Sequence, residues 1–293
     1  MADKQLQAGC LYPVPTPIGN FDDMTFRAID VLKRADIVLS EDTRNTALLF
    51  AHFDIHTPLL SYHQHNEQSR IDAVLERLGR GESVALVSDA GMPCISDPGA
   101  VLVRAVIEAG YTVSPLPGAN AGLVALVGSA LSTDHFYFHG FLPAKGRERR
   151  ADLEAVMAQP VTTILYEAPH RLRETLADLA AAGADRRIVL ARELTKTYEE
   201  FLYFDLTEAI AYYREHDPRG EYVLVLEGAV AYQERTGAAD SNAMTEAEII
   251  HEIEALLRAN VRVKDIARQL ALKTERSKNE LYDLVLQVKQ GRA

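Results

Sequence analysis

Residues 85–98 read ALVSDAGMPCISDP and carry the most informative pattern in this chain. A short apolar run, which predicts a buried strand, stops abruptly in small residues, glycine and proline. Parallel sheets present such loops at the carboxyl ends of their strands, where α/β proteins bind ligands. The same pattern recurs at Leu11–Asn20, Ile37–Arg44 and Ser114–Gly122. The sequence therefore predicts a mainly parallel sheet whose loops form one composite binding site.

The bulk composition is that of a globular chain with room for two domains and a small appendage. The chain has 293 residues, of which 47% are hydrophobic and 25% charged. No apolar run approaches the ~18 residues that a membrane span needs. Cys10 and Cys94, the two cysteines, lack metal-ligand spacing, so we expect no disulfide framework, no metal site and a cytoplasmic location. The net charge of −11 argues against a protein that simply coats nucleic acid, but it still permits an RNA enzyme with local basic patches.

Alternating strand and helix patterns predict two α/β domains, residues 1–130 with a mainly parallel sheet and residues 131–232 with a mixed sheet. A small, polar segment at 233–243 is predicted to be a linker. Residues 244–293 are predicted to form three helices with the rhythm of a helix-turn-helix. From Arg258 onward this tail has nine Lys and Arg against four Asp and Glu, which favours contact with RNA; the alternative is a small packing bundle or a support for a dimer.

The first half of the chain contains short apolar segments that predict strands and amphipathic segments that predict helices. The predicted strands are Leu11–Val14, Ile37–Leu39, Val84–Val87 and Thr112–Pro115, and the predicted helices are Met24–Ala35, Asn66–Gly79, Gly99–Ala109 and Ala119–Leu131.

Several common catalytic signatures are missing from the sequence. There is no GxGxxG after the first strand, no GxxxxGK(S/T) and no GxSxG, which removes the main support for dinucleotide-binding, P-loop and hydrolase functions. The loop Thr16–Asn20 has the proline and glycine that would let it lie flat against a ligand. Alternatively, Asn20 or the following Asp22 and Asp23 only cap the next helix.

Seven segments occur in a specific order: TPIGNFDDMTFRA (16–28), SEDTRNT (40–46), SYHQHNE (61–67), ALVSDAGMPCISDPG (85–99), PLPGANA (115–121), LYEAPHRL (165–172) and ARELTK (191–196). Together they resemble the ribosomal RNA small subunit methyltransferase I family, which belongs to the tetrapyrrole-methylase superfamily of S-adenosylmethionine (SAM)-dependent enzymes. The resemblance implies a two-domain α/β fold with a helical C-terminal extension, SAM in the cleft between the domains, and a homodimer. It also implies 2′-O-methylation of a decoding-region cytidine, cytidine 1402, in the 16S rRNA of the small ribosomal subunit.

Motif by motif, the resemblance places a set of residues along the cofactor. They are Pro15, Thr16, Pro17, Ile18, Ser88, Asp89, Ala90, Asn120 and Ala121 from the first domain, with Tyr166, Leu194 and Glu221 from the second. Two departures from the family pattern bear on this assignment: Asn45 stands where the family usually has histidine, and Ala119 where it usually has proline.

Ribose methylation needs positioning and removal of a proton from a weakly acidic hydroxyl, a task for a general base. Candidates at predicted strand ends are Glu41, Asp42, Arg44, Glu193 and Lys196. Each acid–base pair could equally be a structural salt bridge. His63 and His65 lack a third metal ligand at useful spacing, so a loop near RNA or an ordinary surface loop is expected there.

A basic run between a strand and a helix is predicted to meet the RNA phosphates, with a solvated helix face as the alternative. Its cations are Lys145, Arg147, Arg149 and Arg150, joined by Arg171 from the PHRL segment. Two other functions remain open at this point: methylation of a tetrapyrrole precursor, and a non-catalytic RNA-binding or ribosome-assembly factor that kept the fold.

Overall fold

The structure, a computed structural model, describes residues 6–183, 185–237, 246–258, 261–271, 274 and 277–290. Residues 1–228 form one compact unit and residues 229–293 a second. Among the described helices, none is both long and apolar enough to cross a membrane.

The first sheet has five parallel strands in the order β3-β2-β4-β1-β5, as the strand-and-loop pattern predicted. The strands are β1 (Cys10–Pro13), β2 (Ile37–Ser40), β3 (Leu59–Ser61), β4 (Val84–Val87) and β5 (Thr112–Val113). The helices between them are α1 (Phe26–Arg34), α2 (Thr43–Phe53), α3 (Glu67–Gly79) and α4 (Ala100–Glu108). Strand β3 and helix α2 were not predicted from the sequence.

Both faces of this sheet are buried, because alternate residues of each strand enter different cores. Ala85 of β4 packs toward α1 and α2, where it meets Leu32 and Phe50. The next residue, Leu86, packs on the opposite face toward α3 and α4. This double burial explains why the strands are continuous apolar runs, and it leaves the carboxyl ends of the strands as the open edge.

The second sheet is mixed, as predicted, with the order β6-β7-β10-β8-β9. Its β6–β7 pair is parallel, and the other three pairs are antiparallel. The elements in chain order are β6 (Phe136–Phe141), α6 (Gly146–Ala158), β7 (Thr162–Glu167), α7 (Pro169–Gly183), β8 (Arg187–Arg192), β9 (Glu200–Asp205), α8 (Leu206–Glu215) and β10 (Tyr222–Leu226).

The helix α5 (Ala121–Gly128) precedes the predicted domain boundary at residue 130 but packs on the second sheet. Its Ala125 and Leu126 share a core with Val189 and Val223 of that sheet, and Ile18 of the first domain packs against the same core. Helices α6, α7 and α8 cover the other face. We therefore propose that the second domain begins at α5 rather than at residue 131.

The C-terminal unit contains helices and a core of its own. Its described helices are α9 (Ala229–Thr236), α10 (Glu246–Arg258), α11 (Val263–Ala271) and α12 (Lys278–Lys289). Ile253, Ile266 and Leu281 are fully buried at its centre. Helix α9 continues to Thr236, so the first four residues of the segment predicted as a linker at 233–243 are helical. The rest of that segment, from residue 238, lies outside the described residues.

Candidate active site

The loops that follow β1 and β4 are held together at the carboxyl edge of the first sheet. Thr16 and Gly91 exchange two backbone hydrogen bonds, each with an N-to-O distance of 2.9 Å. The Thr16 hydroxyl also donates to the Ser88 carbonyl oxygen at 3.1 Å. Gly91 has φ = 77°, a left-handed conformation that glycine adopts at little cost. Two of the predicted ligand loops are therefore joined directly.

The loop after β5 joins them through a close backbone approach. A Cβ atom built on Gly118 would lie 2.6 Å from the Cβ of Pro15, a separation that packed atoms do not tolerate. Two residues later, Asn120 caps α5, since its Oδ1 accepts the Leu123 N–H at 3.0 Å. The PLPG turn thus needs Gly118 for close packing, and Asn120, two residues further on, starts α5.

Tyr166 at the end of β7 holds the start of α5, directly after the PLPG turn, against the second sheet. Its hydroxyl oxygen accepts the Gly122 N–H at 3.2 Å. Its ring packs edge-on against Phe138 and Phe141, with centroid distances of 5.1 Å and 5.5 Å. Burial raises the pKa of Tyr166, while the hydrogen bond from Gly122 opposes that rise.

A cavity of about 490 Å³, hereafter the larger cavity, is lined by residues of both domains. This volume is within the ~300–1,000 Å³ range of small-molecule sites. Its wall contains eight residues that the family resemblance placed along the cofactor: Ile18, Asp89, Ala90, Asn120, Ala121, Tyr166, Leu194 and Glu221.

Other wall residues were not predicted as cofactor contacts, among them Gly91, Met92, Ile95, Ser96, Phe141, Ala168, Pro169 and Ala191. Four predicted residues do not lie on this wall. Pro15 supports the loop beneath Gly118, and Thr16, Pro17 and Ser88 border a second cavity that shares Asp89 with the first. The residues after Asp89 could have been found from the loop's small-residue pattern, whereas Phe141 and Ala168 reach the wall only through tertiary packing.

Four carboxylates gather beside the larger cavity, at the ends of β2 and β4. We call Glu41, Asp42, Asp89 and Asp97 the acidic cluster. Burial, followed by the charges of Asp97 and Asp89, raises the pKa of Glu41. Burial also raises the pKa of Asp97, with a smaller contribution from Asp89. Asp89 and Asp97 lie on the cavity wall, so the cluster presents negative charge to a bound ligand.

Asp89 is held in place by the start of α2. Its Oδ1 accepts the Asp42 N–H at 3.1 Å, and its Oδ2 accepts from the Asn45 side-chain amide at 3.1 Å. Asn45, one of the departures from the family pattern, therefore donates an orienting hydrogen bond to a cavity carboxylate.

Asp42 and Arg44 pair with each other. The distance from Arg44 Nη2 to Asp42 Oδ2 is 2.6 Å, and Asp42 also caps α2 by accepting the Arg44 backbone N–H. The hydrogen bonds from Arg44 lower the pKa of Asp42 to about 2. A carboxylate with so low a pKa is a weak proton acceptor at neutral pH. Of the predicted pair Glu41 and Asp42, only Glu41 keeps a raised proton affinity.

Glu193, Lys196 and Glu221 form a second charged group, which we call the domain seam. Lys196 Nζ lies 2.9 Å from Glu193 Oε1 and 2.9 Å from Glu221 Oε2. Glu193 Oε1 also accepts the Glu221 N–H at 3.0 Å. The hydrogen bond from Lys196 is the main cause of the lowered pKa of Glu193. Neither Glu193 nor Lys196 lines the larger cavity, so the structure places both in loop packing rather than at a ligand.

The basic run at α6 divides into exposed and buried cations. Lys145, Arg147 and Arg150 are exposed and make no ion pair with any described residue. Arg149 is 4% exposed, and its Nη2 donates to Asp178 at 2.7 Å and to Thr175 at 3.0 Å. Its assignment as an RNA contact needs correction, because this guanidinium is buried and already paired. Its spacing of seven residues from the buried Val156 is the sequence signal for an inward position.

Arg171 is also engaged within the fold. Its Nη2 donates to the Leu142 carbonyl at 2.7 Å, and its Nε lies 3.3 Å from Glu167 Oε1. Glu167 is nearly fully buried and lies on the wall of the larger cavity. Arg171 therefore holds the loop after β6 against the start of α7, a structural role in place of the predicted RNA contact.

The segment around His63 forms a turn rather than an extended strand. Asn66 Oδ1 accepts the His63 N–H at 2.8 Å, and the His63 and His65 rings are 6.0 Å apart. Within the described part of the chain, no group of three His, Cys, Asp or Glu side chains is arranged to hold a metal ion.

This arrangement of two α/β domains around a shared cavity defines a class of methyltransferases. The profile of the family Tetrapyrrole (Corrin/Porphyrin) Methylases matches residues 10–210. Uroporphyrin-III-C-methyltransferase from Thermus thermophilus, of known structure, matches with a TM-score of 0.53 and 18% identity over 78% of this chain and 98% of its own. A solved cobalt-precorrin-4 methyltransferase matches with a TM-score of 0.55 and 18% identity over 76% of this chain and 96% of its own.

Comparison with curated sequences narrows the class. The ribosomal RNA small subunit methyltransferase I of a Synechocystis species is 44% identical over 96% of this chain and 98% of its own length. The protein of the same name from Bacillus subtilis is 51% identical over 75% of this chain and 76% of its own. The chain belongs to the ribosomal RNA small subunit methyltransferase I family.

Proposed function

We propose that this protein transfers a methyl group from SAM to the ribose 2′-oxygen of a decoding-region cytidine, cytidine 1402 of 16S rRNA, in the small ribosomal subunit. The observation that carries this proposal is the 44% identity with a small subunit methyltransferase I across 96% of the chain. We place the reaction in the cytoplasm, where ribosomal subunits are found.

The residues of the larger cavity suit SAM. Apolar side chains on its wall, including Ile18, Leu194 and Val223, fit an adenine ring, and Asp89 and Asp97 complement a ligand with positive charge. SAM, when bound there, supplies a methyl group on a positively charged sulfur. Gly91 lies on the same wall, and its lack of a side chain would allow a ligand to approach the backbone there.

A carboxylate of the acidic cluster is proposed to accept the proton of the 2′-hydroxyl. A base must lie within hydrogen-bond reach of the proton that it removes. Asp89 borders both cavities, and we therefore assign it this role. Its orientation depends on Asp42 and Asn45, which hydrogen-bond to its two oxygens. Glu41 acts as a positioning residue, since its charge adds to the negative potential around Asp89.

The exposed cations of α6 are proposed to contact RNA phosphates. Lys145, Arg147 and Arg150 lie within six residues of one another, and phosphate contacts position an RNA without reading its sequence. We also propose a homodimer. Helix α5 exposes Leu123, Val124 and Val127, with Val127 78% exposed, an apolar face that a second copy would cover.

The test is transfer of radiolabelled methyl from SAM to small ribosomal subunits that lack methylation at the proposed cytidine. The product is digested with nuclease and mapped by mass spectrometry. We expect 2′-O-methylcytidine at one decoding-region position. SAM binding without transfer to subunits would contradict the rRNA proposal and favour a small-molecule acceptor. Failure to bind SAM at all would contradict the enzymatic function.

A further inference from the structure

A second cavity of about 270 Å³, the smaller cavity, lies beside the larger one and shares Asp89 with it. One side is the loop after β1, from Thr16 to Phe21, and the other is the start of α2. This volume is just below the ~300–1,000 Å³ range of small-molecule sites, so it is a space for one compact group.

The wall from α2 is a single helix face. Asn45, Leu48 and Leu49 are spaced three and four residues apart, which puts them side by side. The start of the helix is fixed by a 2.6 Å hydrogen bond between the buried hydroxyls of Ser40 and Thr46. This wall therefore offers a rigid apolar surface with one amide at its Asp89 end.

The opposite wall ends in an exposed aromatic ring. Phe21 is 42% exposed and stacks on His52, with centroids 4.4 Å apart and planes inclined by 29°. Its short helix is capped by Asn20, whose Oδ1 accepts the Asp22 N–H at 3.1 Å. Because His52 already holds the Phe21 ring, stacking a ligand on its exposed surface would cost little side-chain conformational entropy.

We propose that the smaller cavity receives the nucleobase of the target nucleotide, swung out of the RNA, with Phe21 as its stacking surface. Proteins recognise such bases by stacking on aromatic rings and hydrogen bonding at base edges, which Phe21 and the Asn20 and Asn45 amides supply. With the base in the smaller cavity and the methyl donor in the larger one, the ribose lies at Asp89. This inference rests on the proposed function and assigns the substrate side of the same site.

The chain contains no tryptophan, which permits a direct test. Phe21→Trp places a single tryptophan at the proposed stacking position, where it can be excited apart from the twelve tyrosines. Phe26→Trp is the matched control, because Phe26 is 94% exposed and lines neither cavity. Each variant, with S-adenosylhomocysteine added, is titrated with an RNA hairpin of the decoding region. A second hairpin carries an abasic residue at the target position.

We expect the intact hairpin to quench the tryptophan fluorescence of Phe21→Trp and the abasic hairpin to quench it much less. The fluorescence of Phe26→Trp should respond equally to the two hairpins. Equal quenching by both hairpins at position 21, or no quenching there, would overturn the proposal. The methyl-transfer assay separates this outcome from failure of the proposed function, since wild-type protein that methylates subunits without base-dependent quenching keeps its function and loses this site.

A steric variant gives an independent measurement. Leu48→Trp adds bulk to the smaller cavity from an exposed helix position, and Ala47→Trp places the same indole side chain one residue away, off the cavity wall. We expect Leu48→Trp to raise the KM for small subunits about 5- to 150-fold, the range that follows from loss of one base–aromatic stack. SAM affinity should not change. An equal KM for the two variants would contradict the assignment.

Discussion

The acidic cluster and the domain seam both flank the larger cavity, yet their charges are balanced differently. In the seam, Lys196 lies 2.9 Å from each of two carboxylates, and the pKa of Glu193 is lowered. In the acidic cluster, the pKa values of Glu41 and Asp97 are raised by burial and by neighbouring carboxylates. Within the acidic cluster, Arg44 neutralises Asp42 much as Lys196 neutralises Glu193, whereas burial keeps the pKa values of Glu41 and Asp97 raised.

The largest expected effect on the rate of methyl transfer comes from removing the charge of Asp89, which lines both cavities. Asp89→Asn should lower the single-turnover rate of methyl transfer by about 10²–10⁴-fold, the usual contribution of a general base. SAM affinity should fall by less than this, because Asp97 still presents a negative charge to the positive sulfur and the asparagine side chain preserves the shape of the cavity. The comparison variant is Glu193→Gln in the seam, which should retain the rate within tenfold. Equal losses in the two variants would erase the distinction between the two groups.

The same contrast between free and paired charges applies to α6. Replacing the exposed Lys145, Arg147 and Arg150 by alanine should weaken binding to small subunits and make it less salt-dependent, since each phosphate contact contributes up to ~0.9 to the logarithmic salt slope. Arg149→Ala should instead lower the free energy of unfolding by roughly 1–3 kcal/mol, because a buried hydrogen-bonded group is lost. Filter binding and urea denaturation separate these outcomes. Subunit affinity unchanged in the triple variant would exclude α6 from the RNA contact.

Removing the seam's cation should reduce stability slightly and in a pH-dependent way. In Lys196→Met, the lowered pKa of Glu193 returns toward its ordinary value. A carboxyl group whose pKa is lowered on folding stabilises the fold at pH values above its ordinary pKa. That stabilisation disappears as the pH falls through the lowered pKa. The variant should therefore lose at most about 1 kcal/mol at pH 7, given the partial exposure of the pair, and should match wild type near pH 3. A constant difference across pH would show that the ion pair is not responsible.

The smallest effect is expected at Glu41 and has the opposite sign. A raised carboxyl pKa means that ionisation destabilises the fold, so wild type loses stability as the pH rises through the raised value. Glu41→Gln removes that charge and should raise the Tm by about 1–2 °C at pH 8, with no difference near pH 4. Calorimetry at both pH values measures this change. A lower Tm at pH 8 would show that the charge of Glu41 is compensated after all.

The strands and the edge that holds the site could be predicted because double burial makes each strand a continuous apolar run. Helix α2 escaped prediction because its first residues, Thr43 to Asn45, read as the polar end of a strand-to-loop corner. Strand β3 has three residues, too few to show any periodicity. Strand β3 is completed by its backbone pairing with β2, and α2 is tied to the end of β2 by the hydrogen bond between Ser40 and Thr46.

The local sequence pattern indicated the site where a strand-to-loop corner forms its wall, and the family resemblance was needed for residues such as Tyr166 of β7. Ile18, Asp89 and Asn120 lie in such loops and line the larger cavity. The partners that decide whether a charge is free come from distant parts of the chain, as Asp178 does for Arg149. Local sequence could not separate the roles of Glu41 and Glu193, because each stands three residues before a basic residue, Arg44 and Lys196 respectively.

The most direct test of the proposed proton acceptor is the pH dependence of single-turnover methyl transfer to small subunits, measured for wild type and Asp89→Asn with SAM saturating. We predict that the wild-type rate rises with pH to a plateau, as a reaction with a general base does, and that Asp89→Asn is slow and lacks this rise. A variant with the wild-type rate and profile would contradict the claim that the acidic cluster accepts the proton.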